Sequence, residues 1–493
     1  MKSSRPIVYV LAGIAVAAML CVCSIGAVAA GMFLFSDEIN SALDNPLDLL
    51  TEFNAGPTQV PQPLSGENPD LEKLFAPMWE SRRYLRNDFV SQPVDDEVLA
   101  EGALDGLLGY LEEQGVSLDA LSVTAGSPSA EALAAEAETP QEAQAAFAPF
   151  WEAWHTVQFS QTEVSGSYQD LLRASLRSMV EALGDPHTAY MDPDQLRQSN
   201  ISLDGEYEGI GAYVDTTTEY VTIVTPISGS PAEAAGLRPG DQVLAVDGTD
   251  MTGIPGDAVI GYILGPEGTR VTLTIRREGE PTFDVTIVRA HISIPSVEGE
   301  MLDEGIAYIQ LNTFGANTDR EMRAILEDLL AQNPKGLILD LRNNGGGYLN
   351  TAVSLTSEFL KEGIVLIEEY GNGERDQYNV LSGGLATEIP MVVLVNNGSA
   401  SASEILAGAL QDYGRAPLVG ETTFGKGSVQ TPATLSNGEG ALRITIAHWL
   451  TSKDRLIHGV GLEPDYVVAL TEEDFAQDLD PQLDKAIELI NER

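Results

Sequence analysis

Apolar and polar positions change period several times along this chain of 493 residues, and each change predicts a different kind of element. An uncharged apolar run over residues 7–35, behind Lys2 and Arg5, exceeds the roughly 20 residues that a bilayer-spanning helix needs. Residues 36–68 are acidic and carry Pro46, Gly56, Pro57, Pro61, Pro63 and Gly66, the composition of a linker. From Leu71 to Pro193 apolar residues recur at helical spacing. Short β-rich runs between turn signals then take over, at 220–224, 242–246 and 271–276. From Ile306 the order is strand (306–311), helix (319–331), strand (336–341) and helix (351–360), which predicts an α/β layer with parallel strands. An amphipathic helix opening at Pro481-Gln482-Leu483 closes the pattern.

The helical stretch repeats itself. Phe75-Ala76-Pro77-Met78-Trp79-Glu80 recurs as Phe147-Ala148-Pro149-Phe150-Trp151-Glu152, an offset of 72 residues. The same offset carries Leu99, Leu104, Leu108 and Leu111 onto Leu171, Leu176, Val180 and Leu183, so two copies of a helical pair are expected. Residues 117–142, rich in Ala, Glu, Ser and Pro, read as a flexible connector.

Chemistry concentrates between Pro390 and Pro432. The continuous apolar run 391–395 suits a strand buried on both faces. Asn396-Asn397-Gly398 supplies a sharp turn, and Ile405, Leu406, Ala409 and Leu410 then fall at helical spacing. Ser401 thus sits at a helix N-terminus, where free N–H groups and the helix dipole favour a developing oxyanion. Ser401 and Glu404 also spell a capping box, and Ser399 is a second cap candidate, so capping and nucleophilic readings both stand. A second apolar strand near Leu418 and Val419 leads to Phe424-Gly425-Lys426-Gly427-Ser428. A lysine that serves as a general base must be buried, and flanking glycines allow the backbone approach that buries it. Gln430 follows four residues later as an orienting amide.

These motifs resemble those of the carboxyl-terminal processing peptidases, a family of Ser-Lys endopeptidases. The resemblance implies that Ser401, the middle serine of Ser399-Ala400-Ser401-Ala402-Ser403-Glu404, is the nucleophile. It makes Lys426 the general base and Gln430 the residue that orients it. It also implies that the turn Asp340-Leu341-Arg342-Asn343-Asn344-Gly345-Gly346-Gly347 supplies a backbone N–H, from Gly347 or else Gly346, that joins the N–H of Ala402 in an oxyanion hole. The fold implied is an α/β crotonase-like protease core, with parallel strands and helices, over 291–493. A β-rich PDZ domain over 203–290 and a helical region over 69–198 precede it. Ser230-Pro231-Ala232-Glu233-Ala234-Ala235-Gly236-Leu237-Arg238-Pro239-Gly240-Asp241 is typical of PDZ domains in bacterial proteases, and Leu183 to Met191 resembles the phrase that precedes them in the family. Gly209, Ile210, Gly211 and Ala212 lie where the family binds a terminal carboxylate, in a nest of N–H groups beside a strand edge that pairs with an extended peptide. Without the resemblance, a hairpin with a glycine bulge explains them equally. Self-association through the helices is also implied, and no metal, nucleotide or other cofactor is.

Charge removes some classes of partner. With 74 acidic and 27 basic residues the formal net charge is −47, which speaks against nucleic acid and anionic membrane surfaces. Both cysteines, Cys21 and Cys23, lie in the N-terminal apolar run, so the remainder depends on its core rather than on disulfides. That run, within residues 1–35, is read as an uncleaved single-pass anchor with the catalytic part extracytoplasmic, although Ala27-Val28-Ala29 resembles a signal-peptidase site, whose use would make the protein secreted. His187 reads as a turn residue, and His155, His291, His448 and His458 show no metal-ligand spacing. The expected function is that of an extracytoplasmic serine endopeptidase acting on protein C-terminal tails. A non-catalytic adaptor that presents tails to another protease is the alternative, and an acyl-CoA enzyme on a crotonase-like core is a third class.

Overall fold

The computed structural model describes residues 69–160 and 166–471, with 473, 474, 477 and 479–492. The expected anchor (1–35) and linker (36–68) lie outside these residues. Among the described residues no helix is long and apolar enough to cross a membrane.

Among the described residues five α-helices come first. Helix α1 (Leu71–Asp88) starts at Asp70, whose carboxylate accepts from Lys73 N, and α2 (Asp96–Glu113) starts at Asp95, which accepts from Glu97 N. Helix α3 (Ala130–Glu136) and α4 (Ala148–Gln158) follow, and α5 (Tyr168–Glu181) opens on a reciprocal capping box between Ser167 and Asp170. The starts of α2 and α5 are 72 residues apart. These two helices lie close together because small residues face the contact: a Cβ at Gly106 would stand 2.3 Å from the Ala174 carbonyl, and one at Gly102 would stand 2.6 Å from Ala182 Cβ. The two aromatic boxes pack on each other. The Phe75 ring lies 4.7 Å from both Trp151 and Trp154, and Trp79 lies 5.1 Å from Phe147. They differ in local structure, since Phe75 and Pro77 are inside α1 whereas Phe147 is the residue before α4.

The connector 117–142 is not the bare flexible segment that its composition suggested. It contains α3, with Ala130 and Leu133 buried, and its Ala137 carbonyl accepts from the Trp79 indole at 2.7 Å. Apolar burial outweighs low-complexity composition here, because Ala130, Leu133 and Ala137, spaced three and four residues apart, join the core that holds the aromatic boxes. Leu435, Leu442, Ile444 and Tyr190 share this core, so the chain's own sheet covers much of the helices' apolar surface.

Strand β1 (Ala189–Met191) and helix α6 (Pro193–Asp204) lead into a β-rich unit. It runs through β2 (Glu206–Gly209), β3 (Ala212–Asp215), β4 (Thr222–Pro226), the short helix α7 (Pro231–Ala234), β5 (Gln242–Val246), β6 (Thr249–Asp250), α8 (Gly256–Ile263), β7 (Arg270–Arg276), β8 (Phe283–Val288) and β9 (Ala290–Ser293). The sheet order is β3-β4-β5-β7-β8, with β6 beside β5, and β2 pairs with β9, which brings the two ends of the unit together. Val271, Leu273 and Ile275 alternate into its core with Ile223 and Val243.

The last part contains β10 (Val297–Met301), β11 (Ala307–Leu311), α9 (Thr318–Ala331), β12 (Leu337–Asp340), α10 (Leu349–Phe359), β13 (Ile364–Tyr370), β14 (Arg375–Asn379), β15 (Met391–Val395), α11 (Ala402–Asp412), β16 (Leu418–Gly420), β17 (Ser428–Thr434), β18 (Ala441–Thr451), β19 (Tyr466–Val467) and α12 (Pro481–Asn491). A six-stranded sheet has the order β10-β11-β12-β15-β16-β19, parallel from β11 onward, with β10 antiparallel at its edge. One face packs on α9, α10 and α11, and the other on Ala486, Leu489 and Ile490 of α12, which is why Met391–Val395 is apolar at every position. A second sheet, β1-β18-β13-β14 with β17 on β18, covers the helices. The parallel strands β12, β15 and β16 all end at one edge, and the loops leaving that edge carry the candidate residues.

Candidate active site

Three turns meet at that edge. The first leaves β12 and is pinned by Asp340 and Arg342. The Asp340 carboxylate accepts from Arg342 N and from the Arg342 guanidinium, which also forks onto Asp480 and touches Gln482 at the start of α12. Arg342 is thus a structural anchor of this turn. Asn344 shapes the glycines that follow, its Nδ2 donating to Leu311 O and its Oδ1 accepting from Gly346 N at 2.9 Å. Gly346 has φ 105° and Gly347 φ 148°, and both lie where side chains would collide: a Cβ at Gly346 would be 2.9 Å from Ser401 Cβ, and one at Gly347 would be 2.4 Å from Phe314 O.

The second turn leaves β15 and enters α11. The flanking serines are engaged in holding it: Ser399 Oγ donates to Leu341 O and Ser403 Oγ to Asn344 O, each at 2.8 Å. Ala400 N also donates to Asn344 O. The middle serine is different. Ser401 has φ 57° and ψ −115°, a backbone conformation costing on the order of 1–3 kcal/mol for a residue with a Cβ, and it is buried at the first turn of α11. Ser401, Ala402 and Gly347 line one narrow crevice with Leu349, Ile405 and Trp449. Gly346 has given its N–H to Asn344, whereas the N–H groups of Gly347 and Ala402 are joined to no described residue. Of the two glycines left open by the sequence, Gly347 is therefore the one with a donor to offer.

The third turn leaves β16 and carries Lys426. Glycine is required on both sides: a Cβ at Gly425 would be 2.8 Å from Gly461 N, and one at Gly427 would be 2.7 Å from His458 N. Lys426 is 5% exposed, and its Nζ makes no hydrogen bond or ion pair with a described residue. Its backbone is clamped, since Lys426 N donates to Glu404 Oε2 at 2.9 Å and the Trp449 indole donates to Lys426 O at 3.0 Å. Glu404 Oε2 also accepts from Ser401 N at 2.8 Å. The carboxylate half of the expected capping box is therefore present, and it reaches the lysine turn as well.

Gln430 is placed next to this turn but is not hydrogen-bonded to Lys426. Its Nε2 donates to Ser428 Oγ at 2.8 Å and, more weakly, to Thr445 Oγ1 at 3.4 Å, and its buried Oε1 has no partner among the described residues. Three histidines that sequence spacing did not connect gather behind Lys426. The rings of His187 and His448 lie 5.9 and 5.1 Å from His458. Burial first, and then the Lys426 charge, hold the His187 imidazole down at about 4. No signal in one sequence predicts this, because β18, the loop before β1 and the 457–461 turn meet only in the fold.

The other predicted group lies in the β-rich unit. Gly209 ends β2, Ala212 starts β3, and Ile210 and Gly211 connect them, with Gly211 at φ 79°. The connection is braced by α7: Ala232 N donates to Ile210 O, and Ser230 Oγ and Ile227 N donate to Gly211 O. Strand β3 is the edge of its sheet. The Tyr207 phenol is pushed up to about 12 by burial, against the pull of the nearby Ala212 and Gly211 N–H groups.

Comparison with known proteins follows the same division. The profile of peptidase family S41 matches residues 305–468, and that of the PDZ domain matches residues 222–277. The carboxy-terminal processing protease CtpA of Bacillus subtilis is 38% identical over 295 residues, covering 60% of this chain and 63% of the Bacillus protein, so the match spans somewhat under two thirds of that relative. The carboxyl-terminal-processing protease of a Synechocystis species is also 38% identical, over 326 residues, covering 64% of this chain and 76% of its own length. Among solved structures, the photosystem II D1 C-terminal processing protease aligns at 25% identity and a TM-score of 0.45, over 82% of this chain and 94% of that one. On the strength of these sequence matches, the chain belongs to the carboxyl-terminal processing peptidases of family S41, with a PDZ domain preceding its peptidase domain.

Proposed function

We propose that this protein is a serine endopeptidase in which Ser401 and Lys426 form a catalytic dyad on a crotonase-like core. The observation that carries the reading is the crevice at the head of α11, where a backbone-strained serine lies beside two uncommitted N–H groups, those of Gly347 and Ala402. Ser401 Oγ attacks the scissile carbonyl while Lys426 Nζ takes its proton. The Gly347 and Ala402 N–H groups receive the oxyanion, and Lys426 then protonates the leaving amine. The Lys426 Nζ has no carboxylate partner among the described residues, so none there competes with Ser401 Oγ for it. Gln430, four residues on and with an unused Oε1, would steady that amine.

The PDZ domain supplies recruitment. An extended C-terminal tail would pair with the free edge of β3 while its carboxylate meets the Gly209 to Ala212 connection. The apolar segment 7–35 would hold the protein in the cell membrane with these domains extracytoplasmic. Self-association through the helical region is carried by resemblance alone.

The test is digestion of an intrinsically unfolded protein by the full-length chain beside Ser401→Ala and Lys426→Ala. Cleavage by the parent and a loss of at least about a thousandfold in both variants is the expected outcome. Undiminished cleavage by Ser401→Ala sinks the dyad, and an inert parent that still binds tails favours the adaptor reading.

A further inference from the structure

Glu404 does more than a capping box asks of it. In such a box the carboxylate returns to one N–H, that of the cap residue. Here it is fully buried and accepts four hydrogen bonds, which uses about all the lone-pair sites a carboxylate has. Oε2 takes Ser401 N at 2.8 Å and Lys426 N at 2.9 Å, while Oε1 takes Thr423 Oγ1 at 2.5 Å and Gly425 N at 2.7 Å. Three of the four donors belong to the lysine loop. Two N–H groups on a single oxygen keep the backbones of Ser401 and Lys426 within about 6 Å of each other. One further bond, from Phe424 N to Ser399 O at 3.0 Å, joins the loop to the nucleophile turn directly.

We propose that Glu404 is the positioning residue that sets the register between the nucleophile turn and the lysine loop, an inference that rests on the peptidase reading of Ser401 and Lys426. The loop carries glycine on both sides of Lys426, so its own backbone is permissive, and an outside tie must select one conformation. The Glu404 carboxylate is suited to this, because all four donors are backbone or short side-chain groups; burial pushes its pKa up, and the bonds from Thr423, Gly425, Lys426 and Ser401 oppose that. Glu404 itself touches no reacting atom in this scheme.

The test compares the full-length parent with Glu404→Gln and Thr423→Val, reading two quantities. One is amide hydrogen exchange in peptides covering residues 421–428, which needs no activity. The other is kcat and KM on an unfolded protein substrate. Glu404→Gln places an NH2 group against donors in either orientation, so exchange in 421–428 should quicken by at least about tenfold. Cleavage should lose about a hundredfold in kcat with KM within about twofold, the pattern of a displaced base rather than of lost binding. Thr423→Val, which removes one donor to the carboxylate and the acceptor of Leu462 N, should shift both quantities in the same direction but less, about threefold in exchange and about tenfold in kcat, and serves if Glu404→Gln does not fold. Parent-like exchange in the variants overturns the tie whatever cleavage does. Faster exchange with parent-like kcat overturns the positioning role. A parent that exchanges as expected but cleaves nothing overturns the peptidase reading, and the catalytic role of Glu404 with it, while the tie itself survives.

Discussion

Arg342 and Asp480 are joined by two hydrogen bonds of 2.9 Å each, across 138 residues of chain. The pair fastens the turn beside Ser401 to the start of the final helix, so the geometry of the candidate site depends on residues far along the sequence. Burial lowers the Arg342 guanidinium's affinity for its proton, and Asp340 and then Asp480 outweigh that and hold it well above its ordinary value. Arg342→Ala leaves the buried Asp340 carboxylate without its cation and should cost about 3–5 kcal/mol, read from the urea midpoint. Arg342→Lys keeps the charge but loses the fork, and should recover less than half of that. Equal stability of parent and Arg342→Ala would show that the turn is held by other means.

Gly347 is the position where the proposed oxyanion hole is most easily tested. Its N–H is uncommitted, and an added Cβ would meet Phe314 O at 2.4 Å. Gly347→Ala should therefore displace the 345–348 backbone from Phe314 and misplace the Gly347 N–H, at a cost of about a hundred- to a thousandfold in kcat with little change in KM. Gly346→Ala should also impair cleavage, since its Cβ would press on Ser401 Cβ at 2.9 Å, although the Gly346 N–H is already held by Asn344. A Gly347→Ala protein with full kcat would remove Gly347 from the mechanism.

Acid should weaken the fold through the histidines behind Lys426. His187 faces Lys426, Asp185, His458 and Arg443, and burial and the Lys426 charge hold it near 4, below its ordinary 6.5. Between these values the unfolded chain binds more protons than the folded one, so stability rises with pH and is lost as pH falls from about 6.5 toward 4. His458 is also held low, with the same sign. For a half-buried group the loss should be on the order of 1–2 kcal/mol once solvent screening is allowed for. Urea midpoints at pH 4.5 and 7 should differ less in His187→Gln than in the parent, and an unchanged difference would place the acid sensitivity elsewhere.

Much of the candidate site was legible in the residues. Ser401, Lys426 and the Gly346-Gly347 turn announce themselves because each sits where local backbone demands are unusual: a helix start, a lysine between glycines, a run of three glycines after a buried strand. The strand 391–395 and its helix were legible for the same local reason, as a continuous apolar run followed by a turn and a 3.6-residue period. The repeated aromatic boxes were also visible, and their offset matches the spacing of the α2 and α5 starts. Composition misled only where it stood in for packing, at 117–142, whose alanines and leucine are ordered by the aromatic rings they cover.

What the residues alone determined is therefore the local chemistry: which strands are buried, where helices begin, and which side chains stand at the turns. Tertiary structure decided how these turns are tied to one another. It assigned Ser399 and Ser403 to bracing and left Ser401 in the crevice, gave the Gly346 N–H to Asn344 and left that of Gly347 uncommitted, and bound Gln430 to Ser428 rather than to Lys426. It also brought His187, His448 and His458 behind the lysine and turned Glu404 from a cap into a junction. The reason is physical: a capping box or a strand depends on neighbours a few residues away, whereas these contacts join segments up to 271 residues apart and exist only once parallel strands end at a common edge.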